Sequence, residues 1–163
     1  MWLCENLACF SKYFFVCERI LFRLAQVETE VRIGNNSTNT WREMFLPLLA
    51  NTEVPFSKRV ELLRRRLLAA SSSTIELILS AFCGSIERQL SRMIPPSIVG
   101  GRIVPDQWKP LTVGELEQCR LDAANSVLKE ISSLSKDIAE LAAKSVVVET
   151  DKFLAYPVIS ELR

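Results

Sequence analysis

The sequence predicts an all-α chain, and three observations carry that expectation. Apolar residues recur at three- and four-residue steps through most of the 163 residues, the period of a helix face. Glycines number only 5, too few for an all-β chain built on tight turns. Prolines and glycines concentrate in one stretch, residues 93–112, so breakers are scarce elsewhere. The length suits one domain with a sizeable core, and the expectation is a single helical-repeat domain over 1–163. Its helix pairs are expected to stack antiparallel as a short HEAT-like array.

Residues 3–31 read as one long helix or two in series. Leu7, Phe10, Phe14, Cys17, Leu21 and Leu24 form a stripe, and Phe15, Ile20 and Phe22 widen it beyond one face. A helix that apolar normally has neighbours on more than one side. The cluster Gly34-Asn35-Asn36-Ser37-Thr38-Asn39 is a turn, and Thr40 is the expected cap of a short helix carrying Trp41, Phe45, Leu48 and Leu49. Pro47 should end or kink it.

Asn51 to Pro55 is the next break. Ser57 is the expected N-cap of a helix running to about Ala70, with Phe56 placed as a staple and Val60, Leu63, Leu67 and Ala70 as the stripe. Ser71 to Thr74 separates it from a helix lined by Ile75, Ile78, Leu79, Phe82, Ile86 and Leu90. So short a connection predicts an antiparallel pair.

Residues 93–112 hold four prolines and two glycines, yet Ile98, Val99, Ile103, Val104, Trp108 and Leu111 are too apolar for a free linker. The expectation is a loop packed on the helices and anchored by Trp108, more than half buried and clamped against the following helix. Thr112 with Glu115 spells a capping box for that helix. It carries Leu116, Cys119, Leu121, Ala123, Ala124, Val127, Leu128 and Ile131, and Ser132 to Ser135 can end it. Ile138, Leu141, Ala142, Val146 and Val147 continue a helical face. Val158 to Arg163 reads as the start of another helix.

Composition narrows function by chemistry. The sequence contains 0 histidines, which removes the commonest general base and metal ligand and any Ser-His-Asp or Cys-His arrangement within the chain. The cysteines Cys4, Cys9, Cys17, Cys83 and Cys119 form no C-x-x-C pair and read as free core thiols in a reducing compartment. No phosphate-binding glycine loop occurs. The expectation is therefore no enzyme, no cofactor and no metal. A net charge of +1 does not favour nucleic acid. The charges Glu5, Lys12, Glu18, Arg19 and Arg23 interrupt the apolar N-terminus, so no membrane span or signal peptide is expected there.

Lys58, Arg59, Arg64, Arg65 and Arg66 form the basic cluster. It could bind phosphate or an acidic partner, but it spreads around the helix, and a solvated face with snorkelling arginines is the preferred reading. Trp41 and Trp108 are weighed as interface residues against core packing and loop anchoring. The candidate interaction residues are thus Trp108, Trp41, Arg59, Arg64, Arg65 and Arg66.

Two stretches resemble a known family when taken together. One is Trp41-Arg42-Glu43-Met44-Phe45-Leu46-Pro47-Leu48-Leu49-Ala50-Asn51-Thr52, followed by Pro55-Phe56 and Arg59. The other is Gly101-Arg102-Ile103-Val104-Pro105-Asp106-Gln107-Trp108-Lys109-Pro110-Leu111-Thr112, followed by Glu115. Their order, over roughly residues 40–130, is similar to the helical region that follows the ATPase or Sir2-like module of bacterial STAND-type NTPases and related antiphage-defence proteins. The resemblance implies a cytoplasmic, bacterial, HEAT-like sensor or scaffold region that carries no catalytic residue and is a fragment of a larger protein. Its partner would be another protein or an adjoining domain of the same polypeptide. The competing expectations are an enzyme fragment completed by a second chain, and a small nucleic-acid-binding adaptor using the Arg64–Arg66 helix.

Overall fold

A computed structural model describes residues 1–29, 33–86, 97–131, 133, 134, 136, 139 and 140. Among them the chain forms α1 (Trp2–Leu7), α2 (Ser11–Gln26), α3 (Ser37–Glu43), α4 (Phe56–Leu68), α5 (Ile75–Ile86), β1 (Ile98–Val99), β2 (Arg102–Ile103) and α6 (Val113–Ile131). The protein is largely α-helical, with one two-stranded ribbon among the described residues. The helical face expected at Ile138, Leu141, Ala142, Val146 and Val147, the stripe residue Leu90 and the helix start expected at 158–163 lie outside the described residues.

The N-terminal segment is two helices in series. α2 buries Phe14, Cys17, Leu21, Phe22 and Ala25 against α3 and α1. Its N-terminus is closed from a distance. The Glu53 carboxylate accepts the Ser11 N–H at 2.6 Å, and Glu53 donates its own N–H to the Cys9 carbonyl at 3.2 Å. Acceptance of that amide hydrogen bond holds the Glu53 carboxyl below its ordinary range.

α3 begins earlier than expected. Asn36, not Thr40, is its cap: the Asn36 side chain accepts the Asn39 N–H at 2.8 Å, while Glu28 accepts both the N–H and the hydroxyl of Ser37. With those amides satisfied, Thr40 is drawn into the helix and buried. α3 stops at Glu43, ahead of Pro47, as proline requires. The chain then runs irregularly to Pro55, with Leu49 and Asn51 at φ 60° and 49°.

α4 starts at Phe56, one residue before the expected cap, and Val60, Leu63 and Leu67 form its buried stripe. Ser71 donates its N–H to the Thr74 hydroxyl, closing the turn into α5. α5 sits centrally, packed on α3, α4 and α6. Ile75, Ile78, Leu79, Ala81 and Phe82 are buried on it, so it contributes much of the core. α6 begins with the expected box: Thr112 Oγ1 accepts the Glu115 N–H at 3.1 Å, and Glu115 accepts the Leu111 N–H at 2.7 Å.

The 97–112 stretch departs from expectation. Gly100 and Gly101 take φ +55° and +74°, the left-handed pair that a two-residue hairpin turn needs. Ile98 pairs with Ile103 and Val99 with Arg102 across it. Ile103 is 83% exposed and Leu111 86%. The apolar loop is therefore not packed as a whole; the residues around Trp108 are.

Replacing Glu53 by Gln should leave the fold intact and lower stability at pH 7 by about 0.5 kcal/mol, the scale of an exposed charge at a helix N-terminus. A carboxylate with a depressed folded pKa stabilises above its unfolded value, 4.5, and loses that contribution as pH falls through the depressed value. Urea midpoints of the two proteins should differ at pH 7 and converge in acid. Equal midpoints at pH 7 would remove the cap.

Candidate functional site

The candidate residues separate into an interior set and a surface set. Trp41 is 0% exposed. Its ring lies 4.9 Å from Phe22 and 5.0 Å from Phe45, and its indole N–H donates to Glu18 Oε1 at 2.9 Å. The buried Glu18 also accepts Arg66 at 2.8 Å, and Arg66 lies over the Phe22 ring. A carboxylate, a guanidinium and an indole thus satisfy one another between α2, α3 and α4. Buried charge needs that closure.

Arg59 is 0% exposed, which corrects the expectation of a snorkelling arginine. Its acceptors are main-chain carbonyls: Nε donates to Val54 at 3.0 Å, and Nη1 donates to Met44 at 3.0 Å and to Leu46. Those carbonyls belong to the irregular chain after α3, which has no ladder of its own. Phe56 and Trp108 stack at 6.2 Å and 18°, and the guanidinium sits within 5.4 and 5.8 Å of their ring centroids. Burial pushes the Arg59 pKa down to about 9, still far enough above neutrality for the charge to persist.

Trp108 is more than half buried, as expected, but its main anchor is different. It stacks on Phe56 at the start of α4 and donates its backbone N–H to the Thr52 carbonyl at 2.8 Å. Gln107 accepts the Asn51 N–H beside it. The clamp therefore closes on the 51–56 segment, with α6 approaching from one side. Between α4 and α6 lies a cleft of about 410 Å³, with Phe56, Val60 and Trp108 along one side and Glu115, Gln118 and Asp122 along another. Cys119 also lines it. Burial, then Glu115 and Asp122, push that thiol up, away from the thiolate that nucleophilic chemistry needs. Burial likewise raises Cys9 and Cys17 to about 11.

The remaining arginines have partners other than those of Arg59. Arg64 pairs with Glu61 at 2.8 Å and with Glu130 of α6 at 2.9 Å, bridging α4 to α6. Arg65 lies outward, 3.4 Å from Glu61. Arg66 points inward to Glu18. The cluster is dispersed among structural partners. Among the described residues, no three His, Cys, Asp or Glu side chains could jointly hold a metal ion. No described helix is long and apolar enough to cross a membrane.

A different surface stands out. Val16, Ile20 and Leu24 of α2 and its C-cap Val27 fall at i, i+4, i+8 and i+11, one stripe along the helix. All four are exposed, Ile20 by 42% and Val27 by 74%. Trp2 and Leu3 of α1 are exposed too, Trp2 by 72%. The sequence carried the signal, because Phe15 and Ile20 made α2 too apolar for a single neighbour. No family model, curated protein or solved structure matches the chain.

The Arg59 cluster should behave as one unit. Arg59→Met orphans carbonyls from Met44, Leu46 and Val54 and should cost about 3 kcal/mol. Trp108→Ala should cost about 2 to 3 kcal/mol, at or just below the range for a buried aromatic. Urea denaturation of the double variant should show a coupling above about 0.5 kcal/mol, the limit for independent sites. Strict additivity, or an unchanged melting temperature for Trp108→Ala, would separate Trp108 from the cluster.

Proposed function

We propose that the chain is a non-catalytic helical scaffold that docks a protein partner, or an adjoining domain of the same polypeptide, along the outer side of α2. The observation that carries this reading is the exposed stripe of Val16, Ile20, Leu24 and Val27 beside Trp2 and Leu3. Isolated exposed apolar residues are ordinary, but a run along one helix marks an interaction surface.

The packing order supports a stacked array. α2 packs on α1 and α3, α5 joins α3 to α4, and α6 packs on α4 and α5. Leu121 and Leu128 of α6 are exposed as well. In a solenoid each layer buries surface on both neighbours, and an end layer that stays apolar is one that accepts another. That logic, with the resemblance noted for residues 40–130, extends the proposal to a HEAT-like segment of a bacterial, cytoplasmic NTPase-type defence protein. The enzyme-fragment reading draws no comparable support from the α4–α6 cleft, where the cysteine is held protonated. The nucleic-acid reading would use the Arg64–Arg66 helix, where Arg64 and Arg66 are occupied by carboxylates and only Arg65 is largely exposed, beside Glu61.

If the stripe is a docking surface, it is dispensable for folding. Val16→Ser with Ile20→Ser and Leu24→Ser should change stability by less than about 1 kcal/mol in total, as exposed substitutions do. The variant should also bind less of a hydrophobic dye. A photo-crosslinking residue at position 20 should give a protein adduct in cells, and one at the exposed Glu76 should not. Unfolding of the triple variant, or no adduct at position 20, would overturn the reading.

A further inference from the structure

The charges bordering the α2 stripe specify what can dock there, given the scaffold reading above. Lys12, Arg19 and Arg23 lie along one flank of the stripe, with Arg19 and Arg23 one turn apart and Lys12 two turns before Arg19. All three are exposed. The acidic residues of α1 and α2 are not available to neutralise them: Glu5 is half-buried, and Glu18 is buried and bound to Trp41 and Arg66. The opposite flank is closed by α1. Cys17, seven residues before Leu24 and on the same edge, is buried where α1 packs on α2. The stripe therefore runs between a helix bearing exposed Trp2 and Leu3 on one side and a row of cations on the other.

The ribbon adds to the positive field. Lys12 Nζ lies 4.5 Å from the centroid of the Tyr13 ring. Lys12, then Arg102, hold the Tyr13 hydroxyl below its ordinary pKa.

From this arrangement we infer that the occupant of the α2 face is an amphipathic helix with an apolar stripe and carboxylates along the one flank that meets Lys12, Arg19 and Arg23. A second copy of this chain is not favoured by charge. An antiparallel two-fold pairing of α2 sets each cation row against its own copy, and a parallel one sets it against the α1 side, where Glu5 is half-buried. An anionic lipid surface offers negative charge as well. However, a helix lying on a bilayer takes its cations on both borders of the apolar sector, and here they occupy one border only. A one-sided row is the register of helix against helix, where flanking charges select partner and direction.

The test uses the whole chain and two labelled synthetic peptides of about 20 residues, long enough to hold a helix when docked. Both carry the same leucine stripe; one has glutamates on the flank and the other lysines. Fluorescence anisotropy at low salt should show the glutamate peptide binding about tenfold more tightly, which is about 1.4 kcal/mol. The gap should close as salt screens the pairs. Arg19→Glu with Arg23→Glu should reverse the preference, and Ile20→Asp should weaken both peptides, each variant keeping the helical circular dichroism of the parent. Equal, salt-insensitive binding of the two peptides would overturn the charge assignment while leaving the docking face standing. Capture of the chain by phosphatidylglycerol vesicles, with neither peptide bound, would overturn the helical partner in favour of lipid. Failure of peptides and vesicles alike, with Ile20→Asp changing nothing, would overturn the docking face itself.

Discussion

The structure turns on the Arg59 guanidinium. Between Glu43 and Phe56 the chain has neither helix nor strand, yet much of it is buried: Met44, Phe45, Ala50, Asn51, Thr52 and Val54 all lie in the interior. Buried chain without secondary structure leaves carbonyls that water cannot reach. Arg59 answers that need from the first turns of α4, collecting the carbonyls of Met44, Leu46 and Val54 on one planar fork. A lysine has a single point of donation and could not span acceptors on both sides of the segment. The charge then requires a cover, and the stacked rings of Phe56 and Trp108 supply one. Trp108 and its neighbour in turn tie residues 107–108 to 51–52. The start of α4, the end of α3 and the approach to α6 are thereby fixed by one side chain.

This fastening sets what remains outside. Glu53 is held in the same segment, and its carboxylate and amide reach back to the α1–α2 junction. On the other side of α2, Arg66 and Trp41 hold Glu18. α2 is thus gripped at its N-terminus and along its inner face, which fixes its rotation about its own axis. Rotation decides exposure: with Phe14, Leu21 and Phe22 inside, Val16, Ile20 and Val27 point away, and Leu24 lies at the edge of the exposed face.

Much of this was legible in the sequence, in unequal measure. The buried faces of α2, α4 and α5 follow largely from apolar spacing, although Leu24, expected on the inner stripe of α2, is exposed. Thr112 with Glu115 marks the start of α6 because a capping box is a local device. Asn36 is harder to see, since Thr40 also has a capping side chain and the choice depends on Glu28, nine residues before Ser37. Arg59 is not legible at all. In sequence it is one of several cations on α4, and arginine is almost never fully buried unless paired. Its partners are carbonyls, which have no sequence signature. Arg66 is hidden for the same kind of reason, because its partner Glu18 lies 48 residues away. The Gly100-Gly101 pair is a weak signal for phosphate in sequence, and in the fold its meaning is a turn. The exposed stripe is present in the sequence as an excess: α2 holds more apolar residues than one neighbour could cover, and only the three-dimensional arrangement says which of them remain uncovered.

The positions of the cations on α2 follow from the same placement of charge. Glu18 could be buried because Arg66 and Trp41 close on it, so the only carboxylate within α2 is used inside the protein. Lys12, Arg19 and Arg23 are left on the outer side with no acid on their own helix to offset them. Burying Glu18 both satisfies the α2–α4 contact and leaves a uniformly positive border beside an apolar stripe. The interior ion pair and the uncompensated cations on the outer side of α2 are therefore two consequences of one placement.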